Sequence, residues 1–352
     1  MGPVHNSTPR PPASTTSAWR RVAVSRYTTR IDAQGRAATL APRAVGNIFL
    51  VLLCLVVGAL ARRSGRFPDA TPAVLARVVV DVALPAMTLL FVPRITVDGA
   101  AGLRLIVAAA ATPWVVFGLA YGVLSLVGRA RGWSRGTLGA LVLTAGLGNT
   151  AFLGFPLVEA LYGAEGLRTA VIVDQAGSFL VFATVGVAFA AASAGRARPT
   201  PLAFAKRLAT FPPFIAFILA LLLRGVTFPA PIIVVLEKLA ALIVPLAVLS
   251  VGFQLRFDRA ALARDGSRTA VALAVKLGLT PLVVLALLRT AGIDGLPADV
   301  IVAEAAMGPM ITAAMLAVEE DLDPPLATLM VGLGVPASLL TVGAWSLLLR
   351  LL

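Results

Sequence analysis

The stretch "GNTAFLGFP", Gly148 to Pro156, lies inside an apolar run that otherwise reads as a membrane-spanning helix. Proline removes a backbone donor and collides with an earlier carbonyl, and glycine loses more freedom on ordering than any other residue. In hydrocarbon the unpaired amides of a broken helix are expensive, so breaks survive only where protein or a water-filled cavity surrounds them. The stretch therefore faces inward and predicts two half-helices. The half starting near Pro156 would carry a partial positive charge and free N–H groups, a seat suited to a carboxylate. Asn149 and Thr150 add side-chain hydrogen bonding to that seat, and Asn149 is the first candidate for a binding residue. The plainer readings are that Asn149 only caps a helix end and that Pro156 is an ordinary kink.

The surroundings support a membrane setting. Of 352 residues, 59% are hydrophobic and 13% charged, and the mean hydropathy is +0.92, far from a soluble domain. Apolar runs at 45–61, 70–93, 103–127, 137–161, 168–192, 207–224, 231–254, 268–289, 297–318 and 325–349 predict an all-α membrane protein of ten transmembrane helices. A barrel would instead show short alternating segments. The net charge of +13 is scattered through connections and a tail without interleaved aromatics, so nucleic acid is not expected as a partner. The single cysteine, Cys54, allows no internal disulfide, and the single histidine, His5, lies in the tail, which removes histidine catalysis and His-rich metal sites from the core. No phosphate loop of the Gly-x-x-x-x-Gly-Lys type occurs, and no cofactor or metal is expected.

Residues 1–44 are rich in proline, serine, threonine and arginine without apolar periodicity, and read as a disordered or mis-started N-terminal tail. After it, the odd-numbered connections hold fourteen Arg and Lys residues and the even-numbered ones five. The excess places the odd connections in the cytoplasm and both termini outside, in the cell (plasma) membrane. The arginine-rich tail then falls on the unfavoured side, as expected if an upstream start has been chosen or the tail is exported despite its charge.

Self-similarity appears at three proline marks. "VALPAMTLL" around Pro85 resembles "LIVPLAVLS" around Pro245, "AAAATPWVVFGL" around Pro113 resembles "KLGLTPLVVLAL" around Pro281, and "LGFP" ending at Pro156 matches "AMGP" ending at Pro309. The order predicts a first five-helix repeat over 45–192, a cytoplasmic linker over 193–206 and a second repeat over 207–352, the second inserted upside down because five is odd. Gly308 and Pro309 would then supply a second broken helix crossing the first.

Ionisable residues inside spans are functional candidates by default. Asp174 is assigned to proton coupling or gating. Glu304, one turn before the ninth-span break, either titrates during transport or sits near the membrane surface. Lys276 either attracts an anion or pairs with a carboxylate. Arg77 and Asp81 are spaced for an intrahelical ion pair, and "EEDLDPP" at 319–325 reads as a solvated loop.

The stretches "GNTAFLGFPLVEALYG", "PLAVLSVGFQL", "KLGLTPLVV" and "LATLMVGLGVPASLLTV" resemble the auxin efflux carrier family, the bacterial relatives of plant PIN and PIN-like carriers. The resemblance covers about Val45 to Leu349, and its core is Asn-x-x-Phe-x-Gly-x-Pro, here Asn149, Phe152, Gly154 and Pro156. It implies a bile acid symporter-like fold, with a scaffold domain and a transport domain in which broken helices four and nine cross. It also implies transport of small organic anions, auxin-like or dicarboxylate, and homodimers in many members. Asn149, Pro156 and Pro309 carry over by motif, and Thr150, Gly154 and Gly308 flank them. The second crossing reads "AMGPMITAAM" without an asparagine, so the anion seat is expected to lean toward the fourth span. The expected function is a secondary transporter working by alternating access. An intramembrane enzyme and a passive channel are the alternatives, the enzyme disfavoured because neither paired aspartates nor a core histidine is present.

Overall fold

Prolines mark several of the places where the helices of this chain change their winding. The computed structural model describes residues 40–94, 99–197, 200–255 and 258–352, all of its regular structure being helical. Helices α1 (Leu40–Arg63), α2 (Thr71–Arg94) and α3 (Gly99–Arg131) are followed by α4 (Arg135–Gly146), which stops inside the apolar run. After a short extended segment the chain resumes as α5 (residues 150–162), turns at Gly163, and continues as α6 (residues 164–193). Gly163 has φ 71° and ψ −172°, a conformation that side-chain-bearing residues resist. Helices α7 (Pro201–Ala209), α8 (Pro212–Leu222), α9 (Ala230–Gln254) and α10 (Arg259–Thr290) follow. The last region repeats the interruption, with α11 (Gly295–Ala305) and α12 (Ile311–Glu319) separated by an extended break before α13 (Pro324–Leu351). Among the described residues, seven helices are long and apolar enough to cross a membrane.

Three of the widened, π-type turns end two residues before a proline: 79–83 before Pro85, 150–154 before Pro156 and 275–279 before Pro281. A proline ring clashes with the carbonyl four residues back, and an i→i+5 turn moves that carbonyl aside. At Pro281 the carbonyl left without its helical donor belongs to Leu277, and the Trp345 indole N–H donates to it at 2.9 Å. The helix is thus kept continuous, with the lost hydrogen bond replaced by one from α13.

Helices α1, α2, α8 and α9 pack on one another, and α3, α4, α6, α10, α11, α12 and α13 form a second network. Where α1 meets α9, Gly58 and Gly252 bring the backbones so close that a methyl group on either would collide with a carbonyl of the other helix. The largest fully buried side chains, among them Leu143, Leu147, Leu153, Phe155, Ile301 and Met307, gather around the two breaks. Large apolar side chains such as Phe49, Leu53, Ile215, Leu222 and Val235 point outward instead, as lipid-facing helices require.

Several expected boundaries move. The first helix begins at Leu40, so residues 40–44 of the expected tail are helical, while residues 1–39 lie outside the described residues. The sixth apolar run begins at Pro201, within the expected linker, and is interrupted at Thr210 and Phe211 ahead of Pro212 and Pro213. The first break comes earlier than expected, at 147–149. Its second half starts at Thr150 rather than near Pro156, because the π-type turn absorbs the proline inside a continuous helix.

Candidate functional site

The two breaks meet. Leu147 is extended at φ −114° and ψ 118°, and it passes antiparallel to the second break. Asn149 N–H donates to Gly308 O at 2.8 Å, and Met310 N–H donates to Leu147 O at 2.9 Å. These two bonds flank Gly148 and Pro309, which face each other as a non-hydrogen-bonded antiparallel pair. Proline has no N–H, and this is the position in such a bridge where none is needed. The break thereby satisfies backbone groups on both sides of the pair without a helix.

Asn149 then closes the start of α5. Its Oδ1 accepts from Phe152 N–H at 3.2 Å, and its carbonyl accepts from Gly154 N–H at 2.9 Å, the i→i+5 bond of the widened turn. The cap reading and the binding reading of Asn149 are compatible. Its oxygen is spent on the helix end, while the Nδ2 amide is buried with no partner.

Three ionisable side chains converge on this crossing, each buried to at least 96% of its surface. Lys276 comes from the widened turn in α10, and a Cβ added to Gly148 would lie 3.0 Å from its Nζ. Glu304, the next-to-last residue of α11, lays its carboxylate on α5, where a Cβ at Gly154 would stand 2.5 Å from Oε2 and 2.8 Å from Oε1. Gly154 is therefore glycine because the carboxylate occupies the space of a side chain. Asp174 comes from a widened turn of α6 at 173–178; Thr150 Oγ1 donates to its Oδ1 at 2.5 Å and Gln175 Nε2 to its Oδ2 at 2.8 Å. Neither oxygen of Glu304 receives a hydrogen bond. Gly148, Thr150, Lys276 and Glu304 border one narrow cleft, closed on its other sides by Thr112, Pro113 and Ser178, with room for about one water molecule.

Of the residues singled out in the sequence, Asn149, Thr150, Gly154, Asp174, Lys276, Glu304, Gly308 and Pro309 meet at this crossing. Pro156 stands apart, within the helix beyond the widened turn, and acts on the site through the winding of α5. Glu304 is buried rather than near a surface. Arg77 and Asp81 form their intrahelical ion pair on a partly exposed face of α2, away from the cleft.

The charges that sequence reasoning passed over lie at another place. Asp265 is fully buried between Arg264 at 2.7 Å and Arg268 at 2.6 Å. Arg264 also reaches Asp323 at 3.9 Å, and Thr137 Oγ1 donates to Asp323 at 2.9 Å. Arg196 pairs with Glu320 at 3.1 Å. The "EEDLDPP" segment is thus partly tied down by ion pairs and a cap-like contact rather than wholly solvated. The spacing "RDGSR", an acid with arginines one residue before and three after, was the available signal.

Residues 44–346 match the family described as membrane transport protein. The chain belongs to this family, the auxin efflux carrier group indicated by the Asn149–Pro156 motif. It is similar to an uncharacterized transporter of Methanothermobacter thermautotrophicus, 29% identical over 305 residues, covering 86% of this chain and 97% of the relative. It is also similar to an uncharacterized transporter of Methanocaldococcus jannaschii, 27% identical over 314 residues, with the same coverage of 86% and 97%. With the apolar helices, family membership makes this a multi-pass membrane transporter.

Proposed function

We propose that the protein is a secondary carrier of small organic anions, auxin-like or dicarboxylate, moving them by alternating access at the crossing of the two broken helices. The observation that carries this reading is the Lys276 ammonium held against the Gly148–Pro309 bridge, beside the unpaired Asn149 amide. A lysine lining the cleft and a buried unpaired amide on the residue after Gly148 suit a carboxylate, and irregular backbone at membrane depth is the usual place for such a seat. The cleft is narrow, so a dicarboxylate enters only when the surrounding helices part, as a carrier passing through an occluded state requires.

Counting α4 with α5, α7 with α8, and α11 with α12 as single crossings gives the ten spans of two inverted five-helix repeats. The group of α1, α2, α8 and α9 corresponds to a scaffold, and the group around the breaks to a moving transport domain. The arginine and lysine excess places the odd connections in the cytoplasm and both termini outside, in the plasma membrane. Family membership argues against an intramembrane enzyme.

A screen of labelled malate, malonate and indole-3-acetate for uptake into proteoliposomes tests the reading. Lys276→Ala removes the charge-assisted contact, worth about 1.5–3 kcal/mol, and is expected to weaken apparent affinity by roughly 10- to 100-fold. Asn149→Ala is expected to weaken it less, because it removes a neutral donor. Uptake by both variants indistinguishable from wild type would place the seat elsewhere.

A further inference from the structure

Glu304 is a buried carboxyl group with two acceptor oxygens and no donor on either. An ionised carboxylate in that position would forgo its water without replacement, which is the most expensive way to bury a polar group. A cation shares its cleft, yet Lys276 donates to neither of its oxygens.

The charged groups around Glu304 can be sorted by element. Helix α11 packs against α3, α5, α6, α10 and α13. Of these, α6 contributes Asp174 and α10 contributes Lys276, the two charges that act on Glu304. Tyr162 of α5 and Arg350 of α13 interact with each other and with Asp299, nearer the start of α11, as does Arg289 of α10. Glu159, Glu165 and Arg168 of α5 and α6 do not act on Glu304. Helix α3 turns Thr112 and Pro113 to the cleft, neither of them titratable. The local balance is therefore set by Asp174, Lys276 and Glu304 alone. Asp174 receives hydrogen bonds from Thr150 and Gln175, partners that Glu304 lacks.

We propose that Glu304 is a proton-binding site that couples anion movement to proton movement in the same direction, one proton for each transport cycle. The proposal rests on the carrier reading above, with the anion held at Lys276. In the loaded site the substrate carboxylate pairs with the Lys276 ammonium, and a proton from the water on the entry side sits on a Glu304 oxygen. On release the carboxylate leaves, Glu304 gives its proton to the water on the exit side, and the resulting carboxylate pairs with Lys276. Lys276 and Glu304 together with a bound monoanion carry the same net charge in both states. A moving domain thus never takes an additional uncompensated charge through the low-dielectric interior, which is costly. The geometry seen here, with Lys276 and Glu304 in one cleft but not bonded, is the arrangement that the scheme requires while Glu304 holds its proton.

This scheme separates exchange from net transport. Glu304→Gln is permanently neutral, so its loaded state balances as in wild type, while its empty state leaves Lys276 without a counter-charge and cannot return. The experiment uses the full chain in liposomes, with whichever of malate, malonate or indole-3-acetate undergoes exchange. In wild type a pH gradient of one unit, acid outside, is expected to sustain about a tenfold inward accumulation of a monoanion, and a sodium gradient none. Glu304→Gln is expected to keep exchange and lose accumulation. Infrared difference spectra at neutral pH, recorded between protein with and without the anion, are expected to show a protonated carboxyl band that appears on anion binding in wild type and is missing in Glu304→Gln. Exchange without pH-driven accumulation, or accumulation driven by sodium instead, overturns the proposal, as does a wild-type difference spectrum in which anion binding brings no protonated carboxyl band. The wild-type measurements stand even if the variant fails to fold. Absence of any exchange refutes the carrier reading instead, and the infrared band then decides the proton on Glu304 independently.

Discussion

Gly154 and Glu304 illustrate how much of a site rests on a missing side chain. The carboxylate lies where the Cβ of residue 154 would be, so Gly154→Ala forces Glu304 to move by several tenths of an ångström or more. Overpacking of this kind costs about 1–3 kcal/mol. The expected outcome is a lower unfolding temperature in detergent together with impaired pH-driven uptake, whereas an unchanged temperature would mean that the carboxylate has free space. Asn149 was legible in the sequence because a polar residue beside helix breakers in an apolar run has few explanations. The partnership of Glu304 with Gly154 was not legible, since the residues are 150 positions apart in the chain and nothing local in either neighbourhood names the other. Asp265 was missed for a different reason. Its arginine neighbours were read for their side of the membrane, and a charge in a connection gives no hint that it is buried.

At the scale of elements, the prolines were readable as marks but not as geometry. A proline in an apolar run predicts an interruption, yet Pro113 and Pro336 lie within continuous α-helices, and two further outcomes are seen. Pro309 sits in a true break, opposite Gly148, where a backbone bridge needs no donor from it. Pro85, Pro156 and Pro281 stay inside helices whose preceding turn is widened. What separates the outcomes is tertiary: a second strand-like segment to pair with, or a side chain from another helix to take the freed carbonyl. Trp345 fills the latter role for Leu277. Trp345→Phe keeps the ring and removes the donor, and is expected to destabilise the fold by about 1–3 kcal/mol, the cost of a buried group left unpaired. Thermal unfolding of the purified protein measures this, and no loss would mean that water or another donor serves Leu277.

For the whole molecule, composition alone gave the membrane class, and the family match places nearly all of the apolar chain in one transporter group. Hydropathy also located some spans to within a few residues, such as 70–93 against Thr71–Arg94 and 231–254 against Ala230–Gln254, but the helix expected from 268 begins at Arg259. It failed where helices are interrupted without losing apolar character, at 147–149 and around Thr210, because hydrophobicity does not record backbone direction. The order of the proline marks suggested an inverted arrangement, and a bridge between Gly148 and Pro309 brings two of the marked regions together. A carrier built this way turns over faster when the far side already holds substrate, because the loaded site returns more readily than the empty one.

The direct measurement is uptake of a labelled small carboxylate into proteoliposomes that are either empty or preloaded with the same unlabelled anion. Saturable uptake that preloading accelerates, and that Lys276→Ala reduces, is the expected result. Flux that does not saturate and is indifferent to the internal anion would contradict a carrier and favour a passive pore.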